Sequence, residues 1–407
     1  MSTDGADIVV IGAGQAGAQA AVSLRNGGLM GRIVLAGDEP WLPYSRPMLS
    51  KEFMLSTGEP PGLFLRNVDF WVNLGIEVRA GHRAVSIDGD QHVVTFQDGP
   101  AIKYRSAVVA TGGRARTLPV PGSELGGVCS LRSLADASAL RAQVHRATNA
   151  VVVGGGYLGL EIASAMTQLG ASVTVVEALD ALLMRATSAV VSRYFLELHE
   201  ASGVHVVVGS AVEEFTGGAD GMVQAVRLAG GQVLKADVVV VAVGMTPNQE
   251  LLRSAGAECD DGVLVDAKCR TSLPDIYAIG DCARRTSEYG PTNRRMRLEC
   301  VQNSVAQAKL AAANILGLPF ELPGAPKFWS NQFSAKFRSV GLFHEYEDIE
   351  MDGQPALGSF AVSYRRNGRL VARDCVNTLA GYGSLKKDLE RRIASASPDS
   401  DVAVPAG

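Results

Sequence analysis

Ile8-Val9-Val10-Ile11-Gly12-Ala13-Gly14-Gln15-Ala16-Gly17 is the stretch on which the fold turns. A β-branched run ends in a glycine turn, and an apolar helical pattern through Ala21, Val22 and Leu24 follows. A second run, Arg32-Ile33-Val34-Leu35, closes at Gly37-Asp38-Glu39. Strand, tight turn, helix and strand with an acid at its end is the βαβ arrangement of a dinucleotide site. Gly12 permits the turn, Gly14 lets backbone N–H groups approach a pyrophosphate, and Gly17 lets helix and strand pack closely. Asp38 or Glu39 is placed to accept hydrogen bonds from an adenosine ribose.

The pattern then recurs. Ala150-Val151-Val152-Val153 leads into Gly154-Gly155-Gly156-Tyr157-Leu158-Gly159, with a helix expected from Leu160 to about Leu169. The strand Ser172-Val173-Thr174-Val175-Val176 ends at Glu177. Gly154, Gly156 and Gly159 repeat the tasks of Gly12, Gly14 and Gly17. One such turn is weak evidence in a chain with Gly 45; two complete copies, each after a strand and before a helix, are much stronger. Two dinucleotide sites imply one cofactor held tightly and one exchanging co-substrate. Glu177 repels a 2′-phosphate and favours NAD over NADP, a preference that Arg185 weakens. Further strand ends fall at Ala110-Thr111-Gly112, Gly244 and Gly280-Asp281. With Tyr157 and Leu158 they are candidate cofactor contacts.

At 407 residues the chain has room for two or three domains. The expected class is α/β, two Rossmann-like dinucleotide-binding domains plus a small α+β C-terminal domain. The boundaries expected are 1–115 and 244–322 for two parts of an FAD domain, 116–243 for an NAD domain, 323–396 for the C-terminal domain, and 397–407 for a disordered tail. Composition is that of a globular protein, 47% hydrophobic and 20% charged, and a net charge of -4 gives no reason to expect nucleic acid or a membrane surface as the main partner. No apolar run approaches the roughly 20 residues of a membrane helix. The leader Met1 to Ala6 has no basic segment or cleavage-like site, so a cytoplasmic location is expected. The six cysteines are scattered without CxxC or CxxxxC spacing, which excludes a zinc clamp or a closely spaced redox disulfide. No metal is expected.

Beyond the glycine turns, Pro43-Tyr44-Ser45-Arg46-Pro47-Met48-Leu49-Ser50-Lys51, Gly155 through Leu160-Glu161, Ile279-Gly280-Asp281-Cys282-Ala283, Arg297-Leu298-Glu299 and Phe328-Trp329-Ser330-Asn331-Gln332 are specific marks. With them the chain resembles the FAD-dependent NADH–ferredoxin reductases of bacterial oxygenase systems, the putidaredoxin reductase and biphenyl dioxygenase reductase type. These share a glutathione-reductase-like fold, and the resemblance runs from about Ala6 to Asn377. It implies FAD contacts at Ala16, Asp38, Arg46, Lys51, Ala84, Thr111, Arg132, Asp281, Glu299 and Val301. Asp281 suits a ribityl hydroxyl, and a helix starting near Val301 would aim its N-terminus at the flavin's pyrimidine edge.

The resemblance also places Lys51 and Glu161 together beside the flavin's central ring. There an ammonium would stabilise charge on the reduced flavin, and the carboxylate would keep it charged and orient the nicotinamide. Trp329, in a C-terminal loop, would stack beside the isoalloxazine on an electron exit route, although a tryptophan in an apolar stretch is as often plain core. Lys327, Asn331 and Met48 depart from the family pattern, which bears on partner choice. Arg294-Arg295-Arg297, Arg365-Arg366-Arg369-Arg373, Lys386-Lys387 and Arg391-Arg392 could form a positive face for an acidic ferredoxin, or be ordinary solvated surface.

No cysteine lies between Asp38 and Lys51, where thiol-using enzymes of this fold keep theirs. The implied function is therefore an NADH-dependent reductase that passes single electrons to a [2Fe–2S] ferredoxin feeding an oxygenase. Alternatives are a rubredoxin reductase, an NADH oxidase, or an apoptosis-inducing-factor-like signalling flavoprotein. A monomer or weak dimer is expected.

Overall fold

The computed structural model describes residues 4–286, 295–320, 324–342 and 346–395. Strands Ile76–Arg79, Ile33–Ala36, Asp4–Ile11 and Ile102–Val109 lie parallel, in that order. Ile276–Ala278 returns from far along the chain to pair in parallel with Ile102–Val109. The antiparallel strands Ala84–Asp88 and Val93–Phe96 complete seven. At the centre of the sheet Ile8–Ile11, Ile33–Ala36 and Ala107–Val109 are apolar without interruption because both faces are covered. Ile8, Val10, Ile33 and Leu35 pack with Ala21, Leu24 and Leu310 of helices Gln15–Asn26 and Val301–Leu316. Val9, Ile11, Val34 and Ala36 pack on the other side with Val94, Phe96 and Val263.

A second parallel sheet runs His205–Val207, Ser172–Val176, Asn149–Val153, Val238–Val241 and Val128–Cys129. Helix Tyr157–Gln168 connects two of these strands. An antiparallel layer, Val212–Gly217, Val223–Leu228 and Val233–Lys235, covers one face through Phe215, Val226 and Leu228. The two units are joined where Gly113–Ala115 pairs with Met245–Pro247.

The last sheet is antiparallel: Lys327–Gln332, Ala335–Gly341, Arg369–Val376, Ser359–Arg366 and Asp348–Gln354. Helix Tyr382–Ser395 packs against it through Leu385. Phe337, Phe360 and Tyr364 share a core with Leu160, Ile162 and Phe195, so this sheet is built onto the second unit.

One expectation needs correction. Trp329 stands within a strand and not in a loop. The inward positions of that strand include Ser330 and Gln332, both fully buried, so no apolar alternation marks it. Several cations of the basic clusters are paired with acids. Arg365 pairs with Glu350 at 2.9 Å, Arg373 is buried against Asp352 at 2.9 Å, and Arg392 pairs with Asp388. Arg297 is likewise held by Glu299 at 2.7 Å. The acids Glu350 and Asp352 come from the edge strand Asp348–Gln354, and a run of cations in the sequence does not show them. Arg294 and the tail 397–407 lie outside the described residues. No helix among the described residues is long and apolar enough to cross a membrane.

Candidate active site

The two glycine turns have the same backbone geometry. Gly12 has φ +108° and Gly154 +112°, a region that L side chains rarely enter. A Cβ on Gly12 would stand 2.2 Å from the carbonyl oxygen of Ala110, and one on Gly154 2.5 Å from that of Ala242. Gly17 and Gly159 pass so close to these turns that a Cβ would meet the Gly12 or Gly154 oxygen at 1.9 or 2.0 Å. Gly14 and Gly156 are different: a Cβ on either meets nothing within 4 Å. Each is the N-cap of its helix, and no side chain caps either one. Both helix N-termini thus present open N–H groups and the positive end of a helix dipole.

Both turns line one cleft of 1430 Å³. A site for one drug-sized ligand occupies about 300–1,000 Å³. The residues present fit two extended dinucleotides, each with its pyrophosphate over a helix N-terminus. All the candidate residues except Gly17, its counterpart Gly159 and Gly280 stand in the cleft wall. Gly17 and Gly159 each pack against their own turn. Gly280 is buried behind the wall, where its N–H donates to Gln307 Oε1 at 2.7 Å and a Cβ would meet Ala16 at 2.9 Å. All three serve packing.

The first turn is surrounded by charged groups from several segments. Arg46 donates to Glu39 Oε1 at 2.5 Å, to the Tyr44 hydroxyl at 2.9 Å and to the Arg132 carbonyl at 2.7 Å. Tyr44 in turn donates to Glu39 Oε2 at 2.6 Å, and its burial holds the phenol well above its ordinary range. Glu39 is thus engaged, which leaves exposed Asp38 as the acid facing the cleft. Arg132 pairs with Asp281 at 3.0 Å and donates to the Gly113 carbonyl at 2.9 Å, fixing Asp281 at its strand end. Burial lifts the Glu299 carboxyl above its ordinary value, and Arg297 opposes that rise. At the second turn Glu177 accepts from the Gly155 and Leu179 N–H groups at 2.7 and 2.9 Å.

Between the turns, Lys51 Nζ lies 2.5 Å from Glu161 Oε2, with side chains only 12% and 6% exposed. Residues 110 positions apart meet because Lys51 begins the short helix Glu52–Leu55 and Glu161 faces it from Tyr157–Gln168. Lys51 also donates to the Pro47 carbonyl at 3.1 Å. Ser50 donates to the same carboxylate oxygen at 2.6 Å, and Ser330 donates to the other at 2.6 Å. Every charge in this buried pair is therefore hydrogen-bonded, the condition for burying it without a large penalty. Ser50 and Ser330 were not singled out in the sequence. Both lie inside quoted motifs, and a hydroxyl beside a candidate ion pair was the available signal.

Phe328 and Trp329 also line the cleft. The Phe328 ring packs at a tilt of 39° against Tyr157 with centroids 4.6 Å apart, so the strand's aromatic pair is anchored to the second turn's helix.

Residues 6–308 match the pyridine nucleotide-disulphide oxidoreductase family, and residues 327–404 the reductase C-terminal family. The chain is 40% identical to a ferredoxin--NAD(P)(+) reductase of Sphingomonas sp, covering 95% of this chain and 93% of that protein. It is 35% identical to a rubredoxin-NAD(+) reductase of Pseudomonas putida, over 93% and 97% of the two chains. The putidaredoxin reductase in a covalent complex with putidaredoxin superposes with a TM-score of 0.91 at 34% identity, covering 96% of this chain and 94% of that one. The chain therefore belongs to the pyridine nucleotide-disulphide oxidoreductase family, as an FAD-dependent oxidoreductase with a reductase-type C-terminal domain.

Proposed function

We propose that this protein is an NADH-dependent ferredoxin reductase that supplies single electrons to a [2Fe–2S] ferredoxin, which in turn feeds an oxygenase. The observation that carries the reading is the hydrogen-bonded Lys51–Glu161 pair, set in the wall of the one cleft that both glycine turns line. In this reading residues 1–115 and 244–322 hold FAD tightly, and 116–243 admit NADH. FAD, when bound, accepts a hydride from reduced nicotinamide and gives up electrons one at a time.

The chain's own residues supply the setting. The N–H groups after Gly14 and Gly156 hold the two pyrophosphates, Asp38 binds the FAD ribose, and Glu177 binds the NADH ribose and discriminates against a 2′-phosphate. Arg46, Ala84, Thr111, Arg132, Asp281 and Val301 complete the FAD wall. Lys51 places a fixed positive charge where negative charge develops, and Glu161 keeps that ammonium charged and directed. Removing either partner strands the other charge in a buried site, which costs about 3–5 kcal/mol.

Electrons leave without a thiol. Burial pushes Cys129 up to about 12 and Cys375 up to about 11, and also raises Cys282 and Cys300, so these thiols are poor nucleophiles. Trp329, in the cleft wall on the C-terminal sheet, is the proposed exit to the partner. The protein works in the cytoplasm, with NADH as its reductant.

The test is NADH-driven reduction of cytochrome c with and without an added [2Fe–2S] ferredoxin. Strong stimulation by a ferredoxin is expected. Stimulation by rubredoxin alone would favour the second reading, which the Pseudomonas putida relative supports. NADH consumed only in step with peroxide formation, with neither protein stimulating, would overturn both.

A further inference from the structure

We propose that Ser330, Gln332 and His199 form a positioning relay that fixes the Glu161 carboxylate in the orientation that serves Lys51. The proposal rests on the Lys51–Glu161 reading above. Three hydrogen bonds link these groups in line. His199 Nε2 lies 2.9 Å from Gln332 Oε1, Gln332 Nε2 donates to Ser330 Oγ at 3.0 Å, and Ser330 Oγ donates to Glu161 Oε1 at 2.6 Å. All the intermediate groups are buried: Ser330 and His199 are 0% exposed and Gln332 1%.

Chemistry fixes the direction of each bond. An ionised carboxylate only accepts, so Ser330 must give it its proton. Ser330 Oγ can then only accept from Gln332, which turns the amide nitrogen toward Ser330 and the amide oxygen toward His199. That oxygen needs a donor, and the donor is His199 Nε2–H. Nδ1 makes no hydrogen bond among the described residues, as suits a bare lone pair better than a buried N–H. Burial lowers the His199 imidazole from its ordinary value, in keeping with a neutral ring. Phe333 packs edge-on against this ring, with centroids 5.0 Å apart.

The aligned donors polarise one another toward the carboxylate. Oε1 is held by the relay, and Oε2 is left to Ser50 and Lys51. The line passes from helix Ala189–Ala201 through the C-terminal strand to helix Tyr157–Gln168, and the bond from Phe333 N–H to Ser164 Oγ at 2.9 Å tethers strand to helix again. The C-terminal sheet thus takes part in aiming the charged pair. Buried polar side chains carry a desolvation cost that apolar residues of the same size would avoid. Alignment on a charged group accounts for their presence.

Holoenzyme carrying Ser330→Ala should show flavin reduction by NADH slowed about tenfold. FAD per chain and the KM for NADH should stay unchanged, and Ser330→Thr should restore the rate. Independently of turnover, nitrogen NMR of histidine-labelled protein, with His199 assigned by its loss in His199→Gln, should show a neutral Nε2–H ring between about pH 5 and 8. A ring that titrates in that window, or an Nδ1–H tautomer, overturns the relay even if Ser330→Ala does not fold. A wild-type rate in Ser330→Ala beside a slow Lys51→Ala removes the relay alone. Wild-type rates in both remove the reading of the ion pair itself.

Discussion

At Gly12 and at Gly154 the backbone makes the same turn, with φ +108° and +112° and a carbonyl oxygen where any Cβ would go. What surrounds the turns differs. Around the first, Arg132, Asp281 and Val301 arrive from three later segments, and Glu39, Tyr44 and Arg46 are locked together. Around the second, Glu177 is bonded to backbone of its own neighbourhood, and the flanking Met184 and Arg185 are exposed. An anion site made by a helix N-terminus is common to both, but enclosure is not. Enclosure favours retention and an open side favours exchange, which under the proposed function lets one motif serve both a resident cofactor and a passing co-substrate.

The glycines offer the sharpest way to break this comparison. Gly12→Ala should weaken FAD binding by about 100-fold or more, through backbone strain and the clash with Ala110, and yield protein that purifies without flavin. Flavin absorbance per chain measures it. Gly154→Ala should keep a full flavin complement while raising the KM for NADH about tenfold or more. Loss of flavin in the second variant, or retention in the first, would reverse the assignment of the two turns. A smaller effect comes from charge alone. Glu177→Gln retains a hydrogen-bond acceptor for Gly155 or Leu179 and should raise kcat/KM for NADPH about tenfold relative to NADH. An unchanged ratio would move nucleotide selection elsewhere, with exposed Arg185 the first place to look.

Much of the two parallel sheets is legible in the sequence because their central segments, such as Ala150–Val153 and Val238–Val241, are buried on both faces and read as unbroken apolar runs. The layer Val212–Lys235 and the strand Asp348–Gln354 were not foreseen. Every residue of Asp348–Gln354 is exposed, so nothing in its hydropathy separates it from a loop. The sequence around Trp329 reads as a loop for a related reason, since Ser330 and Gln332 fill inward positions that an ordinary strand gives to apolar side chains. The glycine turns were legible down to single residues, because each glycine answers a steric demand that its position in the motif already states. The meeting of Lys51 with Glu161 came from the resemblance and not from periodicity. The partners of that pair, Ser330, Gln332 and His199, depend on how the C-terminal sheet packs on the second unit. No local pattern encodes that packing.

Lys51 stands between the two turns, and the account depends on it most. Anaerobic stopped-flow reduction of bound flavin by NADH in Lys51→Ala tests that dependence directly. The expected result is a rate lowered by about 100-fold or more with FAD still bound. A wild-type rate in a fully flavinated variant would contradict the claim that the Lys51–Glu161 pair prepares the cleft for hydride transfer.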